Sequence, residues 1–291
     1  MRLEQAQRKQ AKIKMGLQGP SGSGKTYSAL LIAFGLCSSW EKVAIVDSEN
    51  HSAALYAHLG NYNVLNLKPP FTPENYAEAI QLCEKSGIEV IILDSLTHEW
   101  EYLLDYHSNL PGNSFANWGK VTPRHNQFIH TILQSPVHII STIRTKQDYV
   151  LVEKNNKQVP EKVGLKGIQR DGLEYDFTLV FDLDIKNFAT ASKDRTRLFF
   201  GKPEQKLSVE TGEQIRNWCN SGAEITVADI SERIGETKIL QELLELYKQY
   251  PQFKAALQPE YENRKRQLIV GNDAKQNLLT QPIHSNGQHI S

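Results

Sequence analysis

The chain has 291 residues, with 33 Lys and Arg set against 33 Asp and Glu. At 40% apolar and 23% charged, it falls in the range of globular proteins and outside that of disordered or collagen-like chains. A net charge of zero excludes a cationic coat over the whole surface, and leaves room for a local basic patch because partners feel the distribution of charge.

The start is polar and basic (Arg2, Arg8, Lys9, Lys12, Lys14) and leads into a first strand over 13–18. Further β-rich runs fall at 42–47, 90–94, 138–143, 179–184 and 197–200. Helical stretches lie between the early ones, at 25–39, 73–85 and 122–134. Near-continuous apolar runs such as Val90-Ile-Ile-Leu93 suit strands buried on both faces. Strands alternating with helices of this length predict an α/β fold with a mainly parallel sheet and right-handed crossovers.

Two segments break the rhythm. Residues 109–119 read as a turn-rich loop carrying Phe115 and Trp118, and 144–172 as a long polar stretch with few structural signals. Long loops in a compact domain are commonly functional. Beyond Gly222, residues 226–269 read as helical, with a turn near Tyr250-Pro251 and an apolar face from Ile239, Leu240, Leu243, Leu244, Leu246 and Tyr247. The expected organisation is a core over 1–221, a helical C-terminal module over 222–270 and a loose polar tail over 271–291.

The chemistry concentrates in Gly19-Pro20-Ser21-Gly22-Ser23-Gly24-Lys25-Thr26. This fits G-x-x-x-x-G-K-[ST] between an apolar strand and a helix, with Tyr27 following. The glycines let backbone N–H groups curl round a phosphate, and the helix N-terminus adds partial positive charge. Lys25 would reach the β- and γ-phosphates of ATP, and the Thr26 hydroxyl would ligate Mg²⁺. Val90-Ile-Ile-Leu-Asp94-Ser95 supplies a hydrophobic strand ending in the second metal-directed group, Asp94. Ser95 is no base, so the carboxylate that orients water must come from elsewhere. Glu49, in Val43-Ala-Ile-Val-Asp47-Ser-Glu49-Asn-His, sits at the ligand-binding edge of a parallel sheet. Glu99 and Glu101 are weaker contenders because the chain has left the strand there.

The order of P-loop, V-D-S-E-N-H after the second strand and I-I-L-D-S resembles the RecA-type ATPase core. It is most similar to the compact phage ATP-binding proteins associated with homologous recombination and single-strand annealing. The resemblance covers about residues 12–219. It implies a catalytic Glu49, a polar sensor at Thr142 in Ser141-Thr142-Ile143-Arg144, and a nucleotide at a subunit interface of a homo-oligomer. Lys193 or Arg195, in Ala191-Ser-Lys193-Asp194-Arg195, would then complete the neighbour's site, with Arg170 another option. The loops after Asp94 and Ile143 would face DNA. The second carries Arg144, Lys146, Lys154, Lys157, Lys162, Lys166 and Arg170 against Asp148, Glu153 and Glu161. With Tyr149, Phe115 and Trp118 nearby, this is the pattern of sequence-tolerant single-strand binding. A solvated charged hairpin is the alternative, for which Val150-Leu-Val152 before Asn155-Asn156 would serve.

The run 29–37 is the longest apolar one and is too short for a bilayer, and the charged, Gln-rich start is not a signal peptide. Cys37, Cys83 and Cys219 match no metal or redox pattern, which points to a reduced cytoplasm. No H-E-x-x-H, C-x-x-C or G-x-S-x-G motif occurs. Residues 250–268 resemble a short helical tail of phage recombination proteins, a surface for a recombination or single-strand-binding partner. Two other functions remain open: a small-substrate P-loop kinase, which would want an Arg-rich lid, and a nucleotide-switched module that loads a partner through the C-terminal helices.

Overall fold

A computed structural model describes residues 8–154 and 157–279. Eight strands form one mostly parallel sheet in the order β3-β2-β4-β5-β1-β7-β8, with β6 paired to β5 off this path. The strands are β1 (Lys14–Gly19), β2 (Val43–Asp47), β3 (Asn63–Asn66), β4 (Val90–Asp94), β5 (His138–Lys154), β6 (Lys157–Gly167), β7 (Leu179–Leu183) and β8 (Ala189–Asp194). Every residue of β2 and β4 is buried, as their unbroken apolar runs require in a sheet covered on both faces. The α/β expectation is met.

Helix α1 (Lys25–Cys37) packs on one face of the sheet with α5 (Val209–Asn220). The apolar cluster there includes Leu30, Ile32, Ile45, Phe181 and Ile215. A Cβ at Gly35 would lie 2.8 Å from Gly212 Cα and 2.2 Å from the Val209 carbonyl oxygen. Glycine at both positions is what lets α1 and α5 approach so closely. Helices α2 (Pro73–Lys85), α3 (Thr97–Ser108) and α4 (Ser114–Gln134) follow in the chain. Tyr76, Ile80, Phe128 and Ile132 of α2 and α4 join Val46, Ile91 and Leu93 in a second cluster.

Several expected elements are corrected. Residues 97–108, assigned no element from the sequence, form α3, and the loop expected over 109–119 ends at Asn113. There the side chain of Asn113 accepts from the Phe115 and Ala116 N–H groups and starts α4 at Ser114. Phe115 and Trp118 therefore stand on helix. The polar stretch 144–172 is mostly strand: β5 runs out of the sheet to Lys154 and pairs antiparallel with β6. The strand expected over 197–200 is a turn instead. Asp194 accepts from the backbone N–H groups of Thr196, Arg197, Phe199 and Phe200, which bends the chain away from β8.

The chain divides into two compact units, Met1–Ala223 and Glu224–Ser291. The second holds α6 (Val227–Glu236), α7 (Leu240–Gln249) and α8 (Lys254–Leu279). Ile230, Ile234, Leu243, Leu246, Leu257 and Tyr261 form its own small core. Helix α8 remains helical to Leu279, past the expected start of the tail at 271; residues 280–291 lie outside the described residues, as do 1–7. Among the described residues no helix is long and apolar enough to cross a membrane.

Candidate functional site

The loop from Gly19 to Thr26 joins β1 to α1 at the C-terminal edge of the parallel strands. Gly22 and Gly24 have φ of 82° and 78°, a region closed to most side chains. A Cβ at Gly22 would meet nothing within 4 Å, so open space lies beside the loop. Pro20 accepts from the Ser23 N–H at 3.2 Å, while Ser21 is exposed. Lys25 is buried, and its ammonium donates to the carbonyls of Gly19 and Pro20, both at 2.9 Å. Burial lowers its pKa, and the carboxylates of Asp94 and Glu49 oppose that shift. The buried Ser23 hydroxyl has no hydrogen-bond partner. A left-handed glycine loop, an unpartnered hydroxyl and an ammonium resting on carbonyls make a fit for a polyphosphate, whose oxygens would take over the lysine donors. Tyr27 is 40% exposed and meets Tyr56 edge-on at 5.8 Å.

Asp94 ends β4 and is 2% exposed. Thr26 Oγ1 donates to its Oδ2 at 2.7 Å, and Thr142 Oγ1 donates to its Oδ1. Burial raises the Asp94 pKa, and these two hydroxyls pull it back in part. One hydroxyl beside one carboxylate is the donor set of a Mg²⁺ that keeps waters and borrows phosphate oxygens, so Thr26 and Asp94 fit that ion.

Glu49 lies just beyond β2, whose Asp47 stands in register with Asp94. The Asp47 carboxylate accepts from the Glu49 and Ala53 N–H groups at 2.6 and 2.9 Å and so fixes the turn that presents Glu49. Ser48 Oγ donates to the Asp94 carbonyl at 3.1 Å, and Tyr76 donates to Ser48 Oγ at 3.0 Å. These bonds tie the ends of β2 and β4 together. The Glu49 carboxylate is gripped by Arg144, with Nε to Oε1 at 2.8 Å and Nη2 to Oε2. Burial pushes the Glu49 pKa up, but the Arg144 hydrogen bonds and charge outweigh it, with His98 and Ser95 assisting, and the net shift is downward.

The remaining predicted residues fall in two other places. Lys193 and Arg195, at the end of β8, donate to backbone carbonyls of the short turn Leu173–Tyr175, Lys193 to Glu174 at 2.9 Å and Arg195 to Tyr175 at 3.0 Å. Their partners are in this turn rather than around the phosphate loop. Lys154, Lys157 and Lys162 belong to the β5–β6 hairpin by backbone, and their side chains lie outside those described. Lys146 and Lys166 face each other in register at the hairpin root. Together with Arg170 they line an open groove of about 1030 Å³ whose other wall is Trp100, Phe115 and Trp118. Phe115 is 89% exposed there. Trp118 stacks on His107 at 4.2 Å and faces Trp100 at 6.1 Å. Lys166 pairs with Asp171 at 2.7 Å, and Arg170 donates to Asn126 at 3.1 Å.

A family model described as an AAA domain matches residues 11–218. The chain belongs to this family of P-loop ATPases. The match spans the phosphate loop, Asp94, Glu49 and the hairpin, and it makes ATP the nucleotide of the AAA domain. A comparison with curated proteins finds no match.

Within the AAA domain, sequence reasoning missed three contacts. It grouped Arg144 with the basic loop, whereas its side chain reaches Glu49. It gave no role to Asn187, at the β7–β8 turn, which donates to the Gly22 carbonyl at 3.4 Å and whose Nδ2 would lie 2.8 Å from a Cβ at Gly24. It ranked Glu99 among possible bases, but Glu99 is fully buried against His125, 3.1 Å from Nδ1. A carboxylate sealed there has no route to an attacking water. None of these contacts has a local sequence signal.

Proposed function

We propose that this AAA domain is a Mg²⁺-dependent ATPase that works on single-stranded DNA in recombination or strand annealing, as a homo-oligomer. The observation that carries the DNA assignment is the groove in which Lys146, Lys166 and Arg170 face Trp100, Phe115 and Trp118. Cations beside aromatic faces suit a flexible strand, with phosphates on one wall and stacked bases on the other. Sequence preference is weak in such a groove because every base offers a π-face.

Lys25 and the loop N–H groups would hold the β- and γ-phosphates, and Thr26 and Asp94 would hold Mg²⁺, which would offset the charge on the phosphates. Thr142 keeps the Asp94 carboxylate oriented. Glu49 orients a water whose oxygen attacks the γ-phosphorus as the bond to the ADP oxygen breaks. The water proton passes to the Glu49 carboxylate and then to solvent, leaving ADP and phosphate. Lys193 and Arg195 remain the proposed contribution of a neighbouring subunit, and the C-terminal helices the proposed surface for a recombination partner.

Phe115 is so exposed that its removal leaves no cavity, so Phe115→Ala tests the groove without disturbing the fold. If one base stacks on it, the affinity for a labelled oligothymidylate falls by roughly 5–150-fold, from about 1–3 kcal/mol per stacked base. Fluorescence anisotropy measures this. Equal affinities for the variant and the parent protein would remove DNA from this groove.

A further inference from the structure

β5 is one continuous strand running from the ATP site into the hairpin. Its side chains alternate between faces, so residues 142, 144 and 146 share one. Along that face Thr142 touches Asp94, Arg144 grips Glu49 and Lys146 lines the groove. The backbone of Arg144 is tied to both walls of the same groove. Its carbonyl accepts from the N–H of Ile168, a groove residue, at 2.7 Å. Its N–H donates to Thr97 Oγ1 at 2.9 Å, at the start of the helix that carries Trp100.

The grip on Glu49 has a chemical consequence. A guanidinium fork occupies both carboxylate oxygens with charge-assisted bonds. A carboxylate held this way has the inner, more basic edge of both oxygens turned to Arg144, leaving only its outer lone pairs for water, and it resists taking a proton. To act as a base through that inner edge, Glu49 must leave the fork.

We propose that Arg144 is the positioning residue that couples the groove to hydrolysis. It parks Glu49 in the unloaded protein, and a strand seated between the hairpin root and Phe115 draws Arg144 away and releases the carboxylate. The second half of this proposal rests on the DNA reading above; the first half stands on the ion pair alone.

The test is steady-state ATP turnover by the full chain, wild type against Arg144→Gln and Arg144→Lys, with and without oligothymidylate. Thermal melting identifies which variants are folded. Lysine keeps the charge but loses the two-pronged geometry. Arg144→Gln is expected to raise the DNA-independent rate at least about fivefold, the lower end of typical coupling between sites, with Arg144→Lys in between. The ratio of stimulated to basal rate falls toward one in both. Adding Glu49→Gln to Arg144→Gln returns the rate to background, which assigns the gain to Glu49. A merely structural role for Arg144 lowers the rate and does not raise it. A basal rate at or below wild type in every folded variant overturns the proposal, including the case in which Arg144 contacts the γ-phosphate directly. A wild-type rate indifferent to DNA would sink the DNA reading and the release step, while a raised basal rate in Arg144→Gln would still establish the parked state.

Discussion

Lys25→Ala is expected to weaken MgATP binding by at least roughly a hundredfold while the protein stays folded. The lysine ammonium rests on the loop that Gly22 and Gly24 shape, and its donors to the Gly19 and Pro20 carbonyls are the ones a phosphate would inherit. Hydrogen bonds from a charged donor contribute about 1.5–3 kcal/mol each, and Lys25 offers more than one. The fold has little to lose. Burial lowers the Lys25 pKa despite Asp94 and Glu49, so its charged form is less well accommodated in the folded protein than in water. Removing the charge relieves that desolvation cost, which offsets the loss of the two hydrogen bonds to the Gly19 and Pro20 carbonyls. Titration with a fluorescent ATP analogue, alongside thermal denaturation, reads both quantities. Unaltered affinity in a folded variant would overturn the site assignment.

Glu49→Gln is expected to leave MgATP affinity within a few-fold of wild type and to cut turnover by about 10²–10⁴, the usual contribution of a positioned general base. Glutamine is nearly isosteric and can still accept from Arg144 through its carbonyl oxygen. It cannot hold a proton taken from water. The variant thus separates binding from chemistry, which Lys25→Ala does not. Single-turnover hydrolysis with pre-bound ATP and saturating oligothymidylate, which frees Glu49 from Arg144, is the measurement. A rate close to wild type would move the base elsewhere, and the burial of Glu99 against His125 makes that residue a poor substitute.

The parts of this molecule that were legible in sequence are those whose determinants are contiguous. The runs at 43–47 and 90–94 read as buried parallel strands because nothing in them breaks the apolar pattern. The phosphate loop was legible for the same reason, since its glycines and the Lys-Thr pair follow one another directly. The start of α4 carried a local signal too, the capping Asn113, but the Pro111-Gly112 punctuation just before it masked the helix.

What sequence concealed were contacts made across the fold. Arg144 stands at the head of a basic stretch, and charge counting placed it with Lys146 and Lys166. Its side chain instead reaches a glutamate 95 residues away, because β5 and β2 end at the same sheet edge on either side of β4. The hairpin was legible only as an alternative, from Val150-Leu-Val152 before Asn155-Asn156, and the pairing of β5 with β6 bears that alternative out; its extent was not legible. A strand pair that leaves the sheet need not alternate apolar and polar residues, so the polar 144–172 gave no period to read. Nor did local charge show that carbonyls of the Leu173–Tyr175 turn accept from Lys193 and Arg195.

An ATP site joined to a groove for single-stranded DNA, as proposed above, makes hydrolysis answer to the strand. The most direct test is the steady-state ATPase rate of the wild-type protein at saturating MgATP, with and without a saturating oligothymidylate. The rate is expected to rise several-fold with the strand present. The same rate in both conditions, with the oligonucleotide shown to be bound, would contradict it.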